Sequence, residues 1–321
     1  MIPSLTIDLA QPPEKRWQLS AAQCEQAREL LAFYRSDLAL SCKMRQAIAE
    51  EVRRQVPSEY WAEFASLGRQ LNLPVAEVAI LNCYYDSLKV SMGNVFACTA
   101  FAVENANEIL HARNLDWWTE NGALSRFTTI CRFIGGPQGE FTVVGWPGFT
   151  GVYSGIAPGR FAVTLNAVVS SEAPQSAMPV EFLLRRVLEH AATYSAALRQ
   201  LCETPIPCDC LLLLTGVKPG EMAVIERTPN RFAVRPSRNG FVCATNEYQK
   251  LNMGAGTVSF ALSDSCCGRY QRTESLVKAR RPQTAEDCFA YLGDSEVRMS
   301  ITAQQMVFSA ATGRQSVRLP G

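Results

Sequence analysis

Histidine is scarce in this sequence, because the 321 residues contain only two, His111 and His190. His111 alternates with Leu110 and Ala112 in a predicted strand, and His190 lies near the end of a predicted helix. Both positions are typical of structural residues. A thiol or hydroxyl nucleophile usually relies on an adjacent base such as histidine. Any such nucleophile in this chain is therefore expected to find its base elsewhere.

The sequence also lacks long apolar runs and a strong net charge. No apolar run reaches the ~18 residues that a membrane-spanning helix needs, and the short run at residues 211–214 predicts a buried strand. The formal net charge is +1, so nucleic acid is not an expected partner, and weak contact with a membrane surface stays open. The hydrophobic share of 47% is ordinary for a globular chain with a large core.

Paired C-x-x-C motifs are a third absence, although the chain has twelve cysteines. Cys208-x-Cys210 and Cys266-Cys267 do not have the spacing of zinc sites, so neither a metal nor a cofactor is expected. Disulfide frameworks are typical of short secreted chains. Residues 1–4 run straight into a predicted strand without a basic and apolar leader. We therefore expect reduced thiols and a cytoplasmic location.

Apolar spacing divides the chain into a helical first part and a mixed second part. After an extended arm, the spacing predicts a first set of helices, with Ser58 as an N-cap, over residues 20–34, 43–56, 58–71 and 74–85. From residue 98 the period changes to that of strands, and residues 98–170 predict an antiparallel sheet. Strands and helices then alternate, with predicted helices over residues 179–194, 195–202, 264–278 and 284–292 and a closing strand at 306–309. This order favours sheet layers covered by helices.

One stretch carries the candidate chemistry: Phe96-Ala97-Cys98-Thr99-Ala100, followed by His111-Ala112-Arg113-Asn114-Leu115-Asp116. A polar, glycine-containing segment at residues 87–95 precedes Cys98, and a turn at residues 104–108 separates two predicted strands. The resulting hairpin brings Arg113 and Asp116 back beside Cys98. A guanidinium and a carboxylate allow a thiol to form a thiolate and orient the groups around it. Cys98 is therefore predicted to be a nucleophile.

Cys98-Thr99 followed by Arg113-Asn114-Leu115-Asp116 resembles the N-terminal-nucleophile amidases that cut linear amide bonds. Within that class the chain is most similar to the acid ceramidase and N-acylethanolamine acid amidase family, and more distantly to isopenicillin N acyltransferase and choloylglycine hydrolase. The likeness covers nearly the whole chain, and the order and spacing of its segments are specific. Those further segments are Ile2 to Leu9, Pro12-Pro13, Lys15-Arg16-Trp17, Asn82, Tyr84-Tyr85-Asp86, Gly148-Phe149-Thr150-Gly151, Pro158-Gly159-Arg160-Phe161, Leu165-Asn166, Thr245-Asn246, and Asp264-Ser265 with Arg269.

This resemblance implies an α+β fold, the four-layer αββα sandwich of N-terminal-nucleophile hydrolases, with a helical N-terminal pro-segment. It also implies that the Cys98 thiol attacks the carbonyl of Ala97 and that hydrolysis leaves Cys98 at a new chain start. Residues 1–97 would become a helical α-subunit, and residues 98–321 the catalytic β-subunit of a heterodimer. The α-amine of Cys98, with an ordinary pKa near ~8, would serve as the base that histidine does not supply.

The resemblance assigns supporting roles to Arg113 and Asp116. The Arg113 cation would favour a Cys98 thiolate and disfavour a charged α-amine. Asp116 would accept hydrogen bonds from that amine and hold it in place. Because a single buried charge is costly, both side chains are expected to be needed together.

Four further residues match later site positions of the family. Asn246 and Asn166, each at the end of a predicted strand, are expected to donate hydrogen bonds to the oxyanion of the tetrahedral intermediate. Arg269 is expected to brace the site by pairing with a carboxylate. Glu181, near the start of its predicted helix, aligns loosely with a site glutamate of the family, since residues 172–178 share little with it.

Together these residues predict a self-processing cysteine amidase that hydrolyses a linear, nonpeptide amide. The likeness favours a small-molecule fatty acyl amide as substrate, such as an N-acylethanolamine or a ceramide-like lipid. Five aromatic residues near the site would line an acyl groove or belong to the core: Trp117, Trp118, Trp146, Phe149 and Tyr153. Two alternatives stay open, namely an acyltransferase that passes the acyl thioester to an amine, and a non-catalytic lipid-binding protein.

Overall fold

Two stacked β-sheets form the centre of the fold in a computed structural model, which describes residues 2–91, 96–252 and 263–320. The helices are α1 (Pro13–Arg16), α2 (Ala21–Leu38), α3 (Cys42–Gln55), α4 (Ser58–Leu71), α5 (Val75–Asn82), α6 (Tyr84–Ser91), α7 (Ala123–Arg126), α8 (Val180–His190), α9 (Tyr194–Glu203), α10 (Ser263–Ala279) and α11 (Ala285–Leu292). The strands are β1 (Ser4–Asp8), β2 (Phe96–Glu104), β3 (Ile109–Trp117), β4 (Thr129–Ile134), β5 (Phe141–Gly145), β6 (Ser154–Ala157), β7 (Phe161–Asn166), β8 (Cys210–Thr215), β9 (Met222–Arg227), β10 (Phe232–Pro236), β11 (Phe241–Ala244), β12 (Thr302–Ser309) and β13 (Arg314–Arg318). Residues 92–95 of the predicted polar segment and the Asp264 side chain lie outside the described residues.

The predicted amino-terminal helices are present, with corrections at their ends. α2 begins after a capping box, in which the side chains of Ser20 and Gln23 each accept a hydrogen bond from the other's backbone N–H. Ser58 is not an N-cap, because α4 begins at Ser58 itself and the preceding proline offers no side-chain cap. The predicted helix over residues 74–85 is interrupted at Cys83, where the backbone leaves helical geometry between α5 and α6. The predicted extended arm ends in the short helix α1.

The larger sheet has eight strands in the order β1-β4-β5-β6-β7-β8-β9-β10. Its neighbouring strands pair antiparallel, except that β1 pairs in parallel with β4, where Ser4 lies opposite Ile130. Local alternation predicts a strand but not its distant neighbour, so this pairing was not foreseen. The amino-terminal part of the chain therefore supplies the edge strand of the large sheet as well as helices.

Helices α8 and α9 lie against the outer face of the larger sheet. At Gly155 of β6 the Leu188 side chain of α8 approaches so closely that a Cβ would lie 2.5 Å from Leu188 Cδ1. A glycine at that strand position is therefore needed for the close contact between helix and sheet. Within the described ranges, no helix combines the length and apolar character required to cross a bilayer.

The smaller sheet has five strands in the order β11-β2-β3-β12-β13. Successive β2 side chains point to opposite faces. Ala100 and Ala102 pack with Leu211 of the larger sheet, whereas Phe101 packs with Phe289 of α11 on the other face. The layers are thus helices, eight strands, five strands and helices, as the predicted αββα sandwich requires. The predicted closing strand is β12, and a further strand, β13, follows it.

A buried ionic cluster joins the amino-terminal helices to α8. Arg185 donates to Glu63 of α4 at 2.5 and 2.7 Å and to Glu189 at 2.8 Å. Trp17 also donates to Glu63, and the Tyr60 hydroxyl donates to Glu189 at 2.6 Å. Burial alone would raise the pKa of Glu63, but the Arg185 charge and the hydrogen bonds from Arg185, Trp17 and Arg16 together outweigh burial and lower it. The two parts of the chain on either side of Cys98 are therefore held together by charge as well as by the sheet.

Arg185→Met is expected to lower the free energy of unfolding by about 3–5 kcal/mol, because it leaves the buried Glu189 carboxylate without its arginine and Glu63 paired only with Arg16. Urea unfolding of the purified protein measures this change. The matched control is Arg132→Met, which removes an exposed arginine paired with Glu140 and should change the free energy by less than about 1 kcal/mol. Equal effects of the two substitutions would contradict the importance of the buried cluster.

Candidate active site

The predicted hairpin is present, and Cys98 lies in its first strand. β2 and β3 pair antiparallel, with Cys98 opposite Leu115 and Ala100 opposite Arg113. Directly opposed residues of an antiparallel pair share a face. Cys98 and Arg113 therefore both point towards the larger sheet, where the Cys98 Sγ lies 4.0 Å from the carbonyl oxygen of Leu165 in β7.

Arg113 lies beside the Cys98 thiol, between the two sheets. Its Nη2 is 3.4 Å from Cys98 Sγ and also donates to the carbonyl oxygen of Leu165. Its Nη1 donates to the carbonyl oxygen of Tyr153 at 3.1 Å and to the Ser154 hydroxyl. The guanidinium is almost fully buried, so these acceptors replace the water that it loses.

Asp116 points to the opposite face of the hairpin, because it pairs with Ala97 and lies one residue along from Leu115. Its Oδ1 accepts a hydrogen bond from the Thr302 hydroxyl at 2.5 Å, and its Oδ2 has no partner among the described residues. Burial raises the pKa of Asp116, and the nearby charges of Arg269 and Arg113 only partly oppose that rise.

The backbone nitrogen of Cys98 is held by Asn246 in the continuous chain. The role of Asp116 towards the free α-amine of a cleaved chain stays a prediction. Cys98 N donates to Asn246 Oδ1 at 3.1 Å. Arg269 Nη2 donates to the same oxygen at 2.8 Å, while Asn246 Nδ2 donates to the carbonyl oxygen of Ala167 at 2.8 Å. A guanidinium can only donate, so Arg269 must face the oxygen of the Asn246 amide, and the same oxygen faces the Cys98 nitrogen.

Arg269 contacts the backbone of the candidate nucleophile directly. Its Nη1 donates to the carbonyl oxygen of Cys98 at 2.6 Å and to the Thr99 hydroxyl at 2.8 Å. Among the described residues no carboxylate forms a direct ion pair with Arg269, because the guanidinium donates to a carbonyl, a hydroxyl and the Asn246 amide oxygen. The reason is position: α10 packs over β2 on the face away from the larger sheet, where these neutral oxygens lie. The Arg269 charge still acts on the carboxyl of Asp116.

Asn166 connects the two sheets at the end of β7. Its Nδ2 donates to the carbonyl oxygens of Ala244 and Thr245 at 3.0 Å each. Both amide hydrogens are therefore engaged by the backbone at the end of β11 and just after it. Its predicted contribution to an oxyanion site stays a prediction, and in this arrangement it would require a change of partners.

Glu181 lies at the junction of α6 and α8. Its Oε1 accepts hydrogen bonds from the backbone N–H of Tyr85 at 3.0 Å and from the Tyr153 hydroxyl at 3.2 Å. Burial, with the charge of Asp86 second, raises the pKa of Glu181 well above its usual value. Since the Tyr153 carbonyl accepts from Arg113, Glu181 reaches the site through one intervening residue.

Neither histidine is placed as a base for Cys98. The His111 ring lies between the sheets within 3.0 Å of the Thr215 hydroxyl and 2.9 Å of the Thr164 hydroxyl. Burial, with the Arg113 charge second, lowers the pKa of His111 to about 3, so the ring is neutral. His190 is half-exposed beside Glu189, on α8. Both therefore have the structural character that the sequence predicted.

Most of the candidate groove aromatics belong to the core. Trp117 stacks on Tyr84 and Tyr34 of the amino-terminal helices at ring-centre distances of 5.0 and 5.6 Å. Phe149 stacks on Tyr153 at 4.8 Å, and Trp146 is buried with them. Trp118 differs, because 51% of it is exposed.

Several polar residues of the site were not singled out by the sequence, among them Thr99, Ser154 and Thr302. Thr302 lies 186 residues from Asp116 along the chain, so no local pattern could have linked them. Thr99 follows Cys98 directly, and its outward position on β2 was a usable signal. Among the described residues, no group of three histidine, cysteine or acidic side chains could hold a metal ion.

The layer order and the cysteine at the start of a central strand define the class as a sandwich of the N-terminal-nucleophile hydrolase type. The solved structure of the Caenorhabditis elegans N-acylethanolamine-hydrolyzing acid amidase ortholog shares this fold, with a TM-score of 0.58 at 24% identity, over 70% of this chain and 100% of that one. The sequence profile of the family described as "Acyl-coenzyme A:6-aminopenicillanic acid acyl-transferase" matches residues 103–308, more than half of the chain. The protein belongs to this family.

Curated relatives are similar over most of the same region. An acid ceramidase from Balaenoptera acutorostrata scammoni is 24% identical in an alignment of 257 residues that covers 70% of this chain and 63% of that protein. An N-acylethanolamine-hydrolyzing acid amidase from Caenorhabditis elegans is 28% identical in an alignment of 192 residues that covers 56% of this chain and 54% of that protein. The matched region thus spans little more than half the length of these relatives.

Asp116→Asn is expected to increase the free energy of unfolding at pH 7. Burial raises the pKa of Asp116, so the ionised carboxylate is disfavoured in the folded chain, and this penalty is complete only above the raised pKa. As pH falls through that pKa the carboxyl takes up a proton, and the advantage of asparagine should disappear. Urea unfolding between pH 4 and pH 8 measures both effects.

Asp294→Asn is the matched control with the opposite sign. Hydrogen bonds from Arg272 lower the pKa of Asp294, so its stabilising contribution is present above the ordinary pKa of aspartate and is lost on acidification. The substitution should therefore reduce stability at neutral pH. If Asp116→Asn also reduced stability by the same amount at every pH, burial would not be the dominant influence on Asp116.

Proposed function

We propose that this protein is a self-processing cysteine amidase that hydrolyses a linear, nonpeptide fatty acyl amide through a Cys98 thioester. The observation that carries the proposal is the way in which Cys98 is held. Its Sγ lies 3.4 Å from Arg113 Nη2, its nitrogen donates to Asn246, and its carbonyl oxygen accepts from Arg269. Three separate elements converge on the thiol and on both backbone groups of one residue.

Self-processing begins with attack of the Cys98 thiol on the carbonyl carbon of Ala97. The Ala97 acyl group moves from nitrogen to sulfur, the thiol proton passes to the departing nitrogen, and water then hydrolyses the thioester. The products are an Ala97 carboxylate and a free Cys98 α-amine. Asn246 and Arg269 would hold the nitrogen and carbonyl of Cys98 in place during this change, so that little orientation is lost.

The mature enzyme would use the new α-amine as base, which accounts for the scarcity of histidine. The amine accepts the thiol proton, the thiolate attacks the substrate carbonyl, and the departing amine takes the proton. Water then releases the fatty acid from the thioester. Arg113 lies beside the thiol, its charge would disfavour protonation of the new amine, and Asp116 would orient the amine once the chain is cut.

The substrate class in this proposal comes from the relatives. Their names describe hydrolysis of ceramide and of N-acylethanolamines, both of which are fatty acyl amides. The described aromatic residues near Cys98 are largely packed in the core, so they give little independent guidance. The proposed preference for a fatty acyl group therefore rests on similarity to these relatives. The assignment of Cys98 as nucleophile rests on the geometry around it.

Acyl transfer is the second candidate, because the family that matches is described by an acyl-transferase activity. Hydrolysis and transfer share the acyl-enzyme and differ only in whether water or an amine attacks it. Added amines distinguish them. Formation of a new amide at the expense of free fatty acid would favour the transferase.

Wild-type protein is expected to mature into two fragments, residues 1–97 and 98–321, that purify together. The buried pairing of Arg185 with Glu63 and the pairing of β1 with β4 would hold the fragments to each other. Cys98→Ala should remain a single chain, because it has no thiol to attack Ala97. Intact mass spectrometry of the wild-type and Cys98→Ala proteins measures the cleavage.

The control is Cys131→Ala, which removes a buried cysteine from β4 and should mature normally. An active wild-type protein that is still one chain would refute self-processing.

Turnover is expected on amides with an apolar acyl chain, with an optimum near neutral pH. The base must be uncharged, and the Arg113 cation disfavours its protonation. A panel of N-acylethanolamines, N-acyl amino acids and a short ceramide, assayed from pH 4 to pH 9 with Cys98→Ala as blank, tests this. Activity confined to short polar acyl groups would refute the fatty acyl assignment, and a sharp optimum near pH 4.5 would refute the reasoning about Arg113.

A further inference from the structure

Glu226 is a fully buried acidic residue that the proposed chemistry does not use. It lies on β9, where alternate side chains share a face. Met222 and Val224, on the same face of the strand as Glu226, belong to the apolar cluster between the two sheets. A carboxylate at such a position is costly unless it is well satisfied by hydrogen bonds.

The Glu226 carboxylate is satisfied by one short loop. Its Oε1 accepts from the backbone N–H of Gln249 at 3.0 Å, and its Oε2 accepts from those of Lys250 and Leu251 at 2.9 and 2.8 Å. Arg235 Nε donates to Oε1 at 3.2 Å. Three successive backbone N–H groups around an anion form a nest, and here the anion belongs to the protein itself.

This loop also carries Asn246, three residues before the first amide that Glu226 binds. Residues 245–252 have neither helical nor strand geometry, so no regular backbone pairing positions them. A second tether is the Tyr248 hydroxyl, which donates to the carbonyl oxygen of Arg227 at 2.8 Å. Both tethers connect the loop to the end of β9, on the larger sheet.

We propose that Glu226 is a positioning residue that holds Asn246 against the Cys98 nitrogen. The carboxylate anchors residues 249–251 to the larger sheet, while Cys98 lies on the smaller one. The anchor therefore sets the position of the Asn246 amide relative to Cys98 across the space between the sheets. An effect of Glu226 on catalysis rests on the proposed amidase activity. The claim that Glu226 positions Asn246 does not depend on that activity.

The test in the active enzyme is Glu226→Gln. Glutamine has the same size as glutamate but carries an NH2 group in place of one acceptor oxygen. That NH2 group would face the backbone N–H groups of the loop, and because both can only donate, the loop would move away. We expect kcat to fall about 10-fold or more with KM within about twofold, as for a misplaced group that acts in the transition state. The matched control is Glu221→Gln, because Glu221 binds the backbone N–H groups of Val217 and Lys218 in a turn at the other end of β9, and it should leave kcat unchanged.

A double-mutant cycle separates positioning from general stability. If Glu226 acts through Asn246, then Glu226→Gln should have almost no further effect on kcat in an Asn246→Ala enzyme. A loss of the same size in both backgrounds would show a merely structural role and overturn the proposal. If Glu226→Gln does not fold, Tyr248→Phe, which removes the second tether of the same loop, replaces it in the cycle with the same expectation.

A second readout does not require activity. In uncleaved Cys98→Ala protein, the backbone N–H of residue 98 can still donate a hydrogen bond to Asn246. The rate of hydrogen exchange at that amide therefore reports whether the hydrogen bond is present. Glu226→Gln should accelerate this exchange as Asn246→Ala does, and Glu221→Gln should not. Unchanged exchange would overturn the positioning claim. Failure of the amidase proposal would appear separately, as wild-type protein without cleavage or turnover that depends on Cys98.

Discussion

A buried guanidinium between two stacked sheets is the constraint on which the candidate site depends. Arg113 cannot leave its charge without acceptors in a space closed to water. The backbone carbonyls of Tyr153 and Leu165 and the hydroxyl of Ser154 supply them from the larger sheet. The guanidinium also contacts the Cys98 thiol. The same arginine therefore connects the two sheets and places a positive charge beside the thiol.

Cys98 is approached by an arginine from each face of its strand. Arg113 lies on the inner face beside the side chain, whereas Arg269, from α10 on the outer face, donates to the Cys98 carbonyl. The Asp116 carboxylate is also on the outer face and is only partly balanced by these charges. Arg113 and Asp116 are close together in the sequence but point to opposite faces of the hairpin, and for this reason they have different partners.

The amino-terminal part is not a separate module in the folded chain. It supplies β1 to the eight-stranded sheet, and Glu63 supplies the carboxylate that neutralises Arg185. Trp117, the last residue of β3, stacks on Tyr34 and Tyr84. Residues on both sides of Cys98 thus share one core, and a cut before Cys98 would leave these contacts in place.

Sequence reasoning succeeded where the controlling interactions are local and failed where they are distant. The hairpin of β2 and β3 follows from alternation and a turn, so Arg113 was correctly predicted to lie beside Cys98. The direct contacts of Arg269 with the Cys98 carbonyl and with Asn246 were not predicted, because α10 is more than 150 residues beyond Cys98 and its docking position is not encoded in any local pattern. The break at Cys83 was missed because helical periodicity continues through it.

The amino-acid sequence by itself determined most of the helices and strands and the hairpin that carries Cys98, because hydrophobic period and turn chemistry act over a few residues. The four-layer αββα order and much of the case for Cys98 as nucleophile came from the family resemblance. Only the tertiary structure decided that Asn246 accepts a hydrogen bond from the Cys98 nitrogen, that β1 joins β4, and that the Glu226 carboxylate binds the loop of Asn246. Each of these depends on which distant segments share a sheet face. That choice is made by the packing of the whole core, since a buried polar group must find its partners wherever the fold brings them.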